Sequence, residues 1–138
     1  MIRAAAVLIC LALAGCVAAA GQDPVAIGDR FTLGVGGLAP IRDTSTSVRF
    51  VSVIEDSRCP RDTTCIWAGE VKVEIEFLER SKVSKQMELK LGESADAAGL
   101  HVTLVDVEPQ PASNVRISAQ GYRATMVVEK VGQGKRAK

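Results

Sequence analysis

The stretch Val71-Lys72-Val73-Glu74-Ile75-Glu76-Phe77 alternates apolar and charged residues at every step. On a helix these apolar side chains would scatter around the axis. On a strand, Val71, Val73, Ile75 and Phe77 share one face, and Lys72, Glu74 and Glu76 share the other. A chain built around such a segment must form a sheet with one buried and one solvated face.

Other segments follow the same period. Met87-Glu88-Leu89-Lys90-Leu91 repeats the alternation, as does Tyr122-Arg123-Ala124-Thr125-Met126, which continues through Val127-Val128-Glu129. Val48 to Ile54 and Val102 to Val107 are apolar on both faces, as expected of central strands or strands with bulges. Weaker strands fall around Arg30–Leu33 and Leu38–Ile41. Gly34, Gly36-Gly37, Gly92, Gly99, Pro109, Pro111 and Gly121 punctuate these runs. Glu93 to Ala98 has the composition of a single helical turn, and no amphipathic helix is evident. The pattern predicts an all-β domain of about seven strands, a small β-sandwich or a Greek-key barrel. Ile117-Ser118-Ala119-Gln120-Gly121-Tyr122 resembles the turn before a late strand of immunoglobulin-like domains. That resemblance implies a Tyr122 hydroxyl bonded back to its connecting loop.

The N-terminus is of a different kind. Arg3 is followed by an apolar run from Ala4 to Ala14, too short to span a bilayer, and then by Leu13-Ala14-Gly15-Cys16. This resembles the lipobox of bacterial lipoproteins. The resemblance implies cleavage before Cys16, a lipid thioether on its sulfur and acylation of the new N-terminus. Cys10 would leave with the signal segment. Residues 1–15 are then the signal peptide, 16–25 a lipidated tether containing Ala18-Ala19-Ala20-Gly21-Gln22-Asp23-Pro24, 26–131 the all-β domain and 132–138 a basic tail. Val17 follows Cys16 where the inner-membrane sorting rule would place aspartate, which implies an outer-membrane anchor facing the periplasm. Without Arg3, the basic residues equal the 16 acidic ones. Such a balance carries no footprint for nucleic acid. The tail Lys135-Arg136-Ala137-Lys138 reads as a solubilising end, with contact to anionic headgroups as a lesser alternative.

With Cys16 lipidated, Cys59 and Cys65 are the remaining cysteines, in a compartment that permits disulfides. They are expected to pair. Closing so small a loop contributes about 2–2.5 kcal/mol at most, so the bond sets loop shape more than it holds the domain together. Zinc would require further soft ligands, and a redox pair would favour Cys-x-x-Cys. A protease-inhibitor loop presenting Arg61 would place Asp62 after the scissile bond. Asp56-Ser57-Arg58-Cys59-Pro60, followed by Cys65-Ile66-Trp67-Ala68-Gly69, resembles a group of uncharacterised bacterial secreted proteins and lipoproteins. That resemblance implies kinship and no particular activity.

Two readings of this motif stand side by side. In the first it is a strand-to-strand corner. Asp56 and Ser57 cap turns, Arg58 pairs with Asp56, Asp62 or Glu70, Trp67 covers the disulfide, and Gly69 permits close backbone approach. In the second it is a rigid binding loop with Asp56, Arg58, Arg61, Asp62 and Trp67 as its candidate residues. Catalysis finds less support. His101 is the single histidine and no Gly-x-Ser-x-Gly elbow exists, so a hydrolase using His101 is the weakest alternative. Met87 and Met126 read as core rather than copper ligands, and Glu74 and Glu76 as a solvated face. Asp56, Asp62 and Glu70 lack calcium-loop spacing. No catalytic residue, metal or cofactor is expected. The reading is a non-enzymatic envelope lipoprotein that binds a partner or serves a structural role, with an inhibitor or ligand-binding loop over Arg58–Cys65 as the alternative.

Overall fold

The computed structural model describes residues 22–132. The lipobox, the signal segment, Cys16 and the end of the basic tail lie outside the described residues. Eight strands form: β1 (Arg30–Gly34), β2 (Leu38–Pro40), β3 (Thr46–Asp56), β4 (Val71–Glu79), β5 (Lys82–Lys90), β6 (Ser94–Ala97), β7 (Leu100–Glu108) and β8 (Arg123–Lys130). All seven expected strands are among them. The eighth, β6, occupies the segment whose composition suggested a helical turn. Cross-strand pairing with β7, from Ser94↔Thr103 to Ala97↔Leu100, overrides the local preference of its two alanines.

The strands make two antiparallel four-stranded sheets, ordered β1-β8-β7-β6 and β2-β3-β4-β5. Of the two expected architectures the chain adopts the sandwich; the sheets do not close into a barrel. Strand order follows chain order around the molecule, with β1 returning to pair with β8. This is a meander split into two layers, and it departs from the immunoglobulin order. Between the layers lie Leu33, Val48, Phe50, Val71, Val73, Ile75, Phe77, Val102, Leu104, Val107, Met126 and Val128, all fully buried. The alternation in β4 places Val71, Val73, Ile75 and Phe77 inward as expected. Strand β5 is less regular. Its Leu89 is buried and Met87 half-buried, but the strand ends at Lys90 and leaves Leu91 exposed.

The two strands with apolar residues on both faces are indeed interior, and both carry bulges. In β3 the register slips between Phe50 and Ser52 and again between Val53 and Glu55. Cross-strand partners share a face. The first slip therefore turns Val53 inward opposite Val73, and the second turns Asp56 inward opposite Val71. In β7 a slip between Leu104 and Asp106 brings Val107 to the core.

An even number of up-and-down strands puts the start of β1 and the end of β8 at one end of the sandwich, here called the base. Short connections also lie there, including the tight turns Arg80-Ser81 and Ala98-Gly99. The long connections, residues 57–70 and 109–122, meet at the opposite end, the tip. Strand β3 has 11 residues and runs from base to tip, a span of roughly 35 Å.

Arg80 and Ser81 both have positive φ, 49° and 66°, as a two-residue hairpin turn of this hand requires. Neither residue favours that region. Replacing Arg80-Ser81 by Asn-Gly is expected to stabilise the domain by about 1 kcal/mol, read as a higher urea midpoint at unchanged m-value.

Candidate functional site

The tip is built on a buried ion pair. Asp56 and Arg58 flank Ser57, and the turn there folds the guanidinium back onto the carboxylate. Nε of Arg58 donates to Oδ1 of Asp56 and Nη2 to Oδ2, both at 2.8 Å. The remaining guanidinium donors cross to the other sheet, Nη1 to the Val107 carbonyl at 2.6 Å and Nη2 to that of Pro109 at 3.0 Å. Tyr122 reaches the same carboxylate, its hydroxyl donating to Oδ2 at 3.1 Å. The side chains of Arg58 and Asp56 are 9% and 8% exposed. Among its sequence-allowed partners Arg58 thus takes Asp56. Burial alone would push the Asp56 carboxyl up, but the hydrogen bonds and charge of Arg58 outweigh it and hold the carboxyl below the usual range. Burial and the Asp56 carboxylate together push the Tyr122 phenol up.

Tyr122 corrects the tyrosine-corner expectation. A 3-10 turn at Ala119–Gly121 delivers it to β8, but its hydroxyl crosses the sandwich to β3 instead of bonding its own loop.

Above this cluster the chain is pinched. Ser57 N–H donates to the Glu70 carbonyl at 2.8 Å, and Glu70 N–H to Ser57 Oγ at 3.0 Å. Gly69 has φ +64°, and a Cβ there would lie 1.8 Å from the Ser57 carbonyl oxygen, so this close approach admits only glycine. Cys59 and Cys65 are joined, their Cα atoms 5.8 Å apart. At the foot of the pinch Glu70 lies between Lys90 at 2.8 Å and Lys72 at 3.5 Å, whose ammonium groups hold its carboxyl below the usual range.

A second loop braces the first from the side. Asp62 Oδ1 accepts from both the backbone N–H and the hydroxyl of Ser113, each at 2.9 Å. These bonds hold the Asp62 carboxyl low. Arg61 N–H donates to the Pro111 carbonyl at 2.9 Å, and the Thr63 and Ser113 hydroxyls are 2.5 Å apart.

The five candidate loop residues therefore divide. Asp56 and Arg58 lie inside the fold and are unavailable to a partner. Asp62 is exposed but already engaged. Arg61 presents an exposed side chain. Trp67 does not cover the disulfide or close the core: it is 84% exposed, and its neighbour Ile66 is 93% exposed. The contacts between the sheets at this end are made by the Arg58 cluster instead. Val115, on the bracing loop, is 62% exposed. Ile66, Val115 and Ser113 were not singled out in the sequence. Ser113 lies 51 residues from its partner Asp62, and no local pattern signals such a pairing.

The remaining candidates lie elsewhere. His101, on β7, contacts Asp96 of β6 through Nδ1, and the adjacent Ser94 hydroxyl bonds Thr103 at 2.8 Å rather than the imidazole. Glu76 pairs with Arg49 at 2.9 Å, and Glu74 is bonded by Gln86. Among the described residues no three His, Cys, Asp or Glu side chains gather as a metal site would require. Comparison with protein-family models, curated proteins and solved structures finds no match to this chain.

Removing the guanidinium leaves the Asp56 carboxylate buried without a counter-charge. Arg58→Met is expected to destabilise the domain by about 3 kcal/mol in urea unfolding.

The Asp56 carboxyl is held low in the fold, so its contribution is complete above the unfolded value of about 4 and is lost as pH falls through the folded value. Stability should therefore decline on acidification below pH about 4, and Asp56→Asn should flatten that limb while lowering stability at neutral pH. An unchanged acid limb in the variant would contradict the assignment.

Proposed function

We propose that the chain is a bacterial envelope lipoprotein, anchored in the outer membrane through Cys16 and facing the periplasm. Its all-β domain is a non-enzymatic binding module. The lipobox Leu13-Ala14-Gly15-Cys16 supports the anchor, and the stapled tip supports the binding role.

The single observation behind the binding role is the Ile66-Trp67 pair, 93% and 84% exposed on a loop that is otherwise fully tied down. A tryptophan held in the open gains nothing for the fold. On a rigid loop it can bury a large apolar area against a partner at little conformational cost. Arg61, and Val115 on the bracing loop, are also exposed at this end of the sandwich. The disulfide, the Asp62–Ser113 bonds and the Arg58 cluster make the loop a preorganised ligand for an envelope protein, rather than a segment that orders on contact. This reading moves the binding residues of the Arg58–Cys65 loop outward, from Arg58 to Ile66 and Trp67.

A photo-crosslinker at position 67 in intact cells is expected to give one discrete adduct, whereas the same group at position 49, on the outer face of the β2-β3-β4-β5 sheet, gives none. Ile66→Ser with Trp67→Ala should abolish co-purification of that partner and shift stability by less than about 0.5 kcal/mol. Co-purification that survives the double substitution would remove the tip from the function.

A further inference from the structure

Hydrogen bonds hold the 57–70 loop from both sides, but not along its whole length. At one side Ser57 is bonded to Glu70, and Cys59 N–H donates to the Ala68 carbonyl at 3.4 Å. At the other, Arg61 is bonded to Pro111, and Asp62 and Thr63 to Ser113. Thr63 N–H also donates to the Pro60 carbonyl at 3.0 Å and closes a turn over residues 60–63. Between Thr63 and Ala68 this bonding stops. Thr64, Cys65, Ile66 and Trp67 are all exposed, and among the described residues they form no hydrogen bond. Apart from the chain itself, the Cys59–Cys65 bond is their one link to the rest of the fold. The two displayed side chains are therefore ordered by a bond whose loss would leave the Ser57–Glu70 pinch, the Arg58 cluster and the Asp62–Ser113 brace in place.

The two cysteines differ in setting. Cys65 is exposed, whereas Cys59 is half-buried. The Cys59 sulfur stands 3.3 Å from the Thr63 carbonyl oxygen and 3.6 Å from that of Pro60. Cys65 is thus the sulfur open to attack. A Cys59 thiol, once formed, finds an acceptor in the Thr63 carbonyl, which the turn and the Ser113 contact hold in position.

We propose that Cys59–Cys65 is a redox switch on the display of Ile66 and Trp67, opened by a dithiol. The consequence rests on the tip-binding reading; the chemistry does not. One thiolate of the dithiol attacks Cys65 Sγ, the Cys59–Cys65 bond breaks, and Cys59 leaves as a thiolate that takes up a proton. The second thiolate of the reagent then attacks its own first sulfur in the mixed disulfide. Cys65 is released and protonated, and the dithiol, oxidised by two electrons, ends as an internal disulfide. A monothiol stalls at the mixed disulfide, because Cys59 is held close enough to attack it and restore the original bond. The closed form offers Ile66 and Trp67 already ordered. The open form leaves them to order on contact, and the partner loses the advantage of preorganisation.

Trp67 is the sole tryptophan, so its emission reports this segment directly. Dithiothreitol added to the full chain in detergent should open the bond without denaturant, giving two maleimide adducts more than the untreated chain. The fast component of the Trp67 anisotropy decay should then grow by about twofold, with amide protection in β3, β4, β7 and β8 retained. Glutathione at the same thiol concentration should leave the bond closed. A bond that opens only on unfolding, a Trp67 decay unchanged by opening, or strand protection lost on opening each overturns the switch. Cys59→Ser with Cys65→Ser should reproduce the mobile Trp67 without any reductant. In cells, a photo-crosslinker at position 67 of that double variant should give about tenfold less partner adduct than in the disulfide-bonded chain. Equal adduct in both chains overturns the switch and leaves the binding reading standing. Absence of adduct in both removes the binding reading alone, because the Trp67 decay reads the switch without a partner.

Discussion

The two sheets are tied together at one end by the carboxylate of Asp56. It accepts both forks of Arg58 and the hydroxyl of Tyr122, while Arg58 spends its remaining donors on the Val107 and Pro109 carbonyls. Asp56 and Arg58 belong to the β2-β3-β4-β5 layer, and the other three groups to the β7–β8 side. Apolar packing between the sheets is non-directional and would tolerate a sliding of one layer over the other. The ion pair is directional and tolerates none. Placing two charges inside costs desolvation that their attraction only partly offsets, so the gain is in defining one arrangement. No buried side-chain nitrogen or oxygen among the described residues is left without a partner, and a fully satisfied network is the kind that rigidifies.

The second bulge of β3 sets the facing of Asp56 in this cluster. The first slip, between Phe50 and Ser52, inverts which residues face inward, and the second, between Val53 and Glu55, restores the original phase, so that Asp56 faces inward again. The extra residue of the second slip is Ile54, which is left 47% exposed. A strand that sacrifices an apolar side chain to aim a carboxylate is shaped by what the carboxylate holds. Arg58 in turn fixes where residue 59 begins, Ser57 and Glu70 fix where residue 69 ends, and Asp62 fixes the flank. The disulfide then closes a loop whose ends are already set. Its chain-entropy contribution is small, in keeping with a role in shape.

The sequence displayed the period of two in β4 and β8 openly, because each has one wet and one dry face. It hid β6, since Ser94-Ala95-Asp96-Ala97 has a single buried side chain and no periodic signal. The immunoglobulin comparison failed on connectivity: a turn followed by a tyrosine is local, whereas strand order is set by which edges meet. The disulfide was legible once the lipobox reading set Cys10 and Cys16 aside, and Gly69 from its place beside a strand. Trp67 misled because large aromatics usually go inside. At that end stands the Arg58 cluster instead: its Asp56 pairing is local and was among the expected options, but its bonds across the sandwich join residues 49 to 66 apart and have no mark in the local pattern.

Parity of strand number decides where a function can sit on this fold. Eight alternating strands bring the end of β8 back to the end where β1 begins, so the connections divide into two groups that never mix. Those at the base are short, two of them tight turns. Those at the tip include residues 57–70 and 109–122, the two longest in the molecule, and they are bonded to each other through Asp62, Ser113, Arg61 and Pro111. Two long loops on one end that brace each other cost more order than either would alone. The fold meets that cost with buried charge, a disulfide and a glycine that admits no side chain, and leaves a tryptophan in the open at the summit. The elements that rigidify the tip and the residue it displays are therefore parts of one arrangement, and the proposed binding role draws on both.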